Sequence, residues 1–237
     1  MGPRIDHYTW RRGREALLRF GGDAGPVLIA ALPLFEEANR TRTFVVTLLR
    51  TLAERDIASL LPDVPGQGES MMSLTSLTLS DMAEAYAAVT DQSLSGGRKT
   101  FALGIRCGAL LDGYATVAGR WHFAPQTGED LLRDLARTWR AAGGARDRDL
   151  LTQAASEPVE IAGNLLSGDL LSSLNTVAAP DPSCVPRRVV RLLSDARAAD
   201  HKLDAVPLWR RAEPESDPAL AHRLADDIAT WLATCGA

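Results

Sequence analysis

Along the chain, short continuous apolar runs alternate with apolar stripes of helical spacing. Residues 5–11 and 15–20 are short segments about a turn at Gly13, closed by Gly21 and Gly22, and they predict an antiparallel hairpin. The run PVLIAAL at 26–32 is apolar throughout, the pattern of a strand covered on both faces. Phe44, Val45, Leu48, Leu49 and Leu52 then recur at helical spacing and predict an amphipathic helix. The alternation repeats with IASLLPD at 57–63 before a helix at 80–89, and again with TFALGI at 100–105 running directly into RCGALLDGYA at 106–115. Such alternation predicts a mainly parallel sheet with crossover helices on both faces, an α/β fold.

The second half is less regular. RWHFAP at 120–125 reads as a strand, and Leu131, Leu132, Leu135 and Trp139 form a helical stripe that ends at Gly143 and Gly144. From 146 to 183 strand signals are few and the helical pattern around 165–174 is weak, so 129–180 is expected to be a cap or lid insertion in a single domain spanning 1–237. RRVVRLLS at 187–194 and LDAVPLW at 203–209 read as the closing strands. The last helix is the best marked: Asp217 can cap it, Pro218 suits its first turn, and Leu220, Leu224, Ile228, Trp231 and Leu232 share one face.

Composition narrows the function classes. A chain of 237 residues that is 46% hydrophobic can bury a sizeable core, yet no segment reaches the roughly 18 uninterrupted apolar residues of a membrane-spanning helix. The net charge is -4, with arginines interspersed among acids, which argues against nucleic acid as a partner. Three cysteines, Cys107, Cys184 and Cys235, suit neither a disulfide framework nor a C-x-x-C metal site. With no secretory leader at MGPRIDHYTW, a cytoplasmic location is expected. VPGQGES at 64–70 lacks the Lys-Ser/Thr ending and the G-x-G-x-x-G spacing of phosphate loops, so it reads as a turn, and no cofactor is expected.

The chemistry-bearing motif is TFALGIRCGALL. Gly104 and Gly108 flank a central residue at the spacing of a nucleophile elbow, the strand-to-helix turn that presents a catalytic serine in α/β hydrolases. Arg106 holds that central position, and a guanidinium has no nucleophilic lone pair. Asp195 follows a strand where the acid of a triad would stand, but no histidine lies between Trp209 and Asp217. His201 precedes the last predicted strand and His222 lies within the last helix. Two of the three positions of a Ser-His-Asp triad are therefore unfilled.

Four stretches together give the chain a family likeness: PLFEEANRTR at 33–42, LLPDVPGQGES at 60–70, LGIRCGALL at 103–111, and RWHFAPQTGEDLLRDL with EIAGNLLS at 120–135 and 160–167. The chain resembles the exosortase A system-associated hydrolases of type 2, a branch of the α/β-hydrolase superfamily. The resemblance implies an α/β-hydrolase fold and a bacterial setting linked to exopolysaccharide production and protein sorting.

With no serine at the elbow, three functions compete. Arg106, at a helix N-terminus that already favours anions, can hold a small anionic ligand, with Phe35 and Asn39 on the facing loop completing the site. Alternatively Glu36 or Glu37 pairs with Arg106 in a bidentate fork and fills the pocket. A hydrolase of unusual chemistry would use Glu36 or Glu37 as base on water, or Cys107 as nucleophile, with Asp195. A partner protein is the alternative occupant for a binding role, and a structural or scaffolding subunit of a neighbouring enzyme is the third possibility.

Overall fold

The computed structural model describes residues 2–145, 147–177, 185–211 and 216–237. In chain order the elements are β1 (Arg4–Trp10), β2 (Gly13–Phe20), β3 (Val27–Ala31), α1 (Glu36–Ala53), β4 (Ala58–Pro62), α2 (Leu79–Ser95), β5 (Thr100–Ile105) and β6 (Arg120–Phe123). They continue with α3 (Gly128–Ala141), α4 (Leu150–Ser156), β7 (Val159–Ile161), β8 (Asn164–Leu166), α5 (Gly168–Thr176), β9 (Arg187–Leu192), β10 (His201–Leu203) and α6 (Pro218–Thr234). Eight strands form one sheet in the order β1-β2-β4-β3-β5-β6-β9-β10, while β7 and β8 pair separately. The β1–β2 and β2–β4 pairings are antiparallel, and from β4 to β10 every pairing is parallel.

The continuous apolar runs are explained by two cores, one on each face of the sheet. Along β3, Leu28 and Ala30 pack with α1 and α6 through Phe44, Leu48, Leu224 and Ile228, whereas Val27, Ile29 and Ala31 pack with Met82 and Tyr86 of α2. Successive side chains of a strand point to opposite faces, so a strand covered twice has no polar position to spare. Asp217 caps α6 as its sequence predicts, accepting from the Leu220 amide at 3.0 Å. No helix among the described residues is long and apolar enough to cross a membrane.

Two local readings need correction. First, α1 begins at Glu36, so Glu36 and Glu37 open the helix and Asn39 sits inside it as an exposed residue, where a loop facing the elbow was expected. The cap position is Phe35, in the left-handed region at φ 60, with no side-chain cap bond. Second, the last strand is His201–Leu203, which shares only Leu203 with the predicted 203–209, and Leu208–Arg210 form a 3-10 turn; Pro207, with no amide hydrogen, cannot donate to a strand ladder. Among the described residues, the segment between β6 and β9 holds three helices and the β7–β8 hairpin, whose three-residue strands are too short to leave a period-2 signal. Its Leu131, Leu135, Leu166, Leu170 and Leu174 complete the core on the α2 face. Residues 178–180 of the expected insertion, and Cys184, lie outside the described residues.

Candidate functional site

The carboxyl ends of β3, β5, β6 and β9 meet at one edge of the sheet, and the turn after β5 brings Arg106 there. Arg106 adopts φ 55, a left-handed conformation that costs a non-glycine residue on the order of 1–3 kcal/mol. The glycines on either side make this turn possible. A Cβ on Gly104 would lie 2.7 Å from Ala109 Cα, and one on Gly108 would lie 2.4 Å from the Leu32 carbonyl oxygen. The elbow geometry that the glycine spacing predicts is therefore present, although a 3-10 helix, Arg106–Tyr114, follows it.

The guanidinium is enclosed, with the side chain 7% exposed. Its Nε donates to Glu37 Oε2 at 3.2 Å and its Nη2 to Glu37 Oε1 at 3.1 Å, a bidentate fork. Nη1 reaches the Ala124 carbonyl at 3.5 Å, Asp134 Oδ2 lies 3.9 Å from Nη2, and Cζ sits 4.2 Å from the Trp209 ring centroid. Of the two glutamates, Glu37 is the partner, while Glu36 pairs with Arg40 one turn along α1. The cation expected to hold an external anion is thus held by an internal one. Trp209, in the segment after the last strand where a triad histidine would stand, covers it instead.

Cys107 is fully buried, and its Sγ accepts from the Leu34 amide at 3.1 Å. Burial, with the charge of Glu37 adding to it, pushes the thiol up to about 12, so the nucleophilic thiolate is absent at neutral pH. Iodoacetamide at pH 8 is accordingly expected to leave Cys107 unmodified in the folded protein and to alkylate it in urea, read by peptide mass spectrometry. The next amide on the same loop, Phe35 N, is also occupied, donating to Gln67 Oε1 at 2.8 Å. These loop amides are the kind that line an oxyanion hole, and side chains of this chain already use them.

Asp195 lies beside the same opening but is fully engaged. It accepts from Arg191 Nη1 at 2.7 Å and from Arg197 Nη2 at 3.0 Å, among other Arg197 contacts. Burial works to raise its pKa, yet the hydrogen bonds from Arg197 and Arg191 outweigh it and hold the carboxyl well below the usual range. A carboxyl depressed in the folded state stabilises fully above its unfolded value of about 4 and loses that contribution as pH falls through the folded value. Asp195→Asn is therefore expected to lower the urea midpoint by a constant amount at neutral pH, with the gap to wild type closing in strong acid.

A cavity of about 600 Å³ opens above Arg106, with walls from α1, α3, the β7–β8 turn, the β9 loop and the 3-10 turn at Trp209. Glu36, Glu37 and Phe35 line it; Asn39 faces a separate, smaller hollow beside Asp63, and so does not orient the Arg106 pair. Three contributors have no individual signal in the sequence: Gln126, Asp134 and Trp209. Gln126 Nε2 donates to Asp134 Oδ2 at 2.9 Å, and Arg137 Nη2 donates to Asp134 Oδ1 at 2.5 Å. Gln126 Oε1 is buried without a hydrogen-bond partner. Arg197 ties the β9 loop to α3 through Asp130 at 2.8 Å.

The histidines take no part in this cavity. His122 is buried between Asp112, 2.7 Å from its Nε2, and Arg187, which donates to its Nδ1 at 3.1 Å. His201 Nδ1 lies 2.8 Å from Asp227, which also accepts from Trp121 and Arg188, and His222 stands beside Arg55. Among the described residues, no group of three His, Cys, Asp or Glu is placed to hold a metal ion.

No family model and no curated protein matches this sequence. Solved structures do. Est1E from Butyrivibrio proteoclasticus is similar with a TM-score of 0.65 at 13% identity, covering 99% of this chain and 100% of its own. A putative hydrolase from Agrobacterium vitis S4 gives 0.58 at 16% identity over 96% and 97% of the two chains. The epoxide hydrolase VrEH1 from Vigna radiata gives 0.64 at 11% identity over 98% of each. At such identities the likeness speaks for the fold and not for an activity: the chain has the α/β-hydrolase fold.

Proposed function

We propose that this protein is a noncatalytic member of the α/β-hydrolase fold, which binds a small polar ligand in the cavity above Arg106 and does not run acyl transfer at its elbow. The observation that carries this reading is the two-bond fork between Arg106 and Glu37. It puts a guanidinium, which has no nucleophilic lone pair, where a nucleophile would be, and it ties both oxygens of Glu37, one bond each, to that cation and away from the role of a base. The protonated Cys107 thiol and the occupied loop amides support the same reading. In it, α3 to α5 with the β7–β8 hairpin serve as a cap over the cavity. The setting we assign is a bacterial one linked to exopolysaccharide production and protein sorting, supported by the sequence resemblance, and a cytoplasmic location, supported by the low cysteine content. An anion at Arg106 itself is not part of this proposal, because Glu37 takes that place.

Hydrolysis of short and medium p-nitrophenyl acyl esters tests the reading, with wild type run beside Arg106→Ser, Cys107→Ala and Glu37→Gln. Wild-type rates no higher than buffer are expected. Wild-type turnover that disappears only in Cys107→Ala or Glu37→Gln, with the fold intact by circular dichroism, would overturn it and name the residue responsible.

A further inference from the structure

The binding reading leaves the ligand's chemistry open, and the cavity walls restrict it. The carboxylates of Glu37, Asp130 and Asp134 are each bonded to arginines, so neither sign of charge dominates the interior. A guanidinium carries five N–H donors and a carboxylate about four acceptor positions, more than these pairs consume. Spare donors and spare acceptors therefore stand side by side. An anion offers only acceptors and would meet carboxylates, and an ammonium offers only donors and would meet guanidiniums. A hydroxyl both donates and accepts. Gln126 adds a specific demand, since its orphaned Oε1 lacks the donor that a buried amide oxygen ordinarily has. Leu131, Leu135 and Ile161 supply apolar wall between the polar pairs. The volume, about 600 Å³, falls within the range of small-molecule sites, roughly 300–1,000 Å³.

We propose that the cavity binds a neutral polyhydroxylated molecule, a saccharide of one or two rings, whose hydroxyls bridge the carboxylate–guanidinium pairs and supply the donor for Gln126 after a small turn of its amide. This rests on the noncatalytic reading of the same site: the sugar is held and not cleaved.

Saturation-transfer NMR on the full chain tests it, with glucose, N-acetylglucosamine, sucrose and cellobiose set against glucuronate, malate, inorganic phosphate and glucosamine. At least one neutral sugar is expected to bind with a Kd in the millimolar range or tighter, ahead of every charged probe. Gln126→Leu, and Arg137→Met on the exposed side of α3, are each expected to weaken it roughly threefold to tenfold. Absence of any neutral-sugar signal would overturn the proposal. So would tighter binding of malate or phosphate that disappears in Arg210→Ala, since Arg210 lines the cavity with no carboxylate partner among the described residues. Either of those results leaves the noncatalytic reading intact. Cleavage of bound sucrose or cellobiose would instead overturn that reading and keep the ligand class.

Discussion

Glu37→Ala is expected to destabilise the protein by about 3 to 5 kcal/mol, the cost of leaving one member of a buried pair without its counter-charge. Arg106 has a side chain only 7% exposed, and its remaining neighbours are a carboxylate 3.9 Å away, a carbonyl and the Trp209 ring. None of these replaces two charge-assisted hydrogen bonds in one plane. The urea midpoint at neutral pH reads the effect. The double variant Glu37→Leu with Arg106→Leu is expected to cost far less than the sum of the single changes, because removing both charges also removes their desolvation. A Glu37→Ala change within about 0.5 kcal/mol of wild type, the usual span for surface substitutions, would show that the fork carries no structural weight.

Gly108→Ala is expected to be as severe, and for a reason unrelated to charge. The new methyl would lie 2.4 Å from the Leu32 carbonyl oxygen and 2.5 Å from that of Ala31, and both are backbone atoms at the end of β3. No rotamer relieves such a clash, so β3 and the elbow must separate, disturbing the parallel pairing of β3 with β5. A loss of about 4 kcal/mol or more is expected, read as insoluble expression or a collapsed urea midpoint. Gly97→Ala provides the contrast. Unlike Gly108 it has a positive φ, 78°, but nothing lies within 4 Å of the added carbon, so the change should cost only the conformational strain, about 1 kcal/mol.

The sheet was legible because its central strands are buried on both faces, which leaves long apolar runs, and because the elbow needs glycine at two fixed positions. α6 was legible because Asp217 and Pro218 mark its start through local chemistry. What escaped was set by tertiary contact. Trp209 reads as strand core in LDAVPLW, yet it ends on the face of Arg106, a residue about one hundred positions earlier in the chain. Gln126 and Asp134 carry no pattern of their own and become part of the site only when α3 is laid over the elbow. The choice between Glu36 and Glu37 was likewise undetermined: adjacent residues of a helix point about 100° apart, and only the way α1 is seated on the sheet and α6 decides which one meets Arg106. Cys107 shows the reverse case. It directly follows the central residue of the elbow, a position whose side chain turns into the packing, and its Sγ lies against the Leu34 amide.

The central claim, that this elbow forms no covalent intermediate, is tested most directly by incubating the purified protein with a fluorophosphonate and recording its intact mass. The account predicts an unchanged mass after prolonged exposure. Stoichiometric addition of one phosphonyl group to the folded protein would contradict it, and peptide mapping of that adduct would identify the nucleophile.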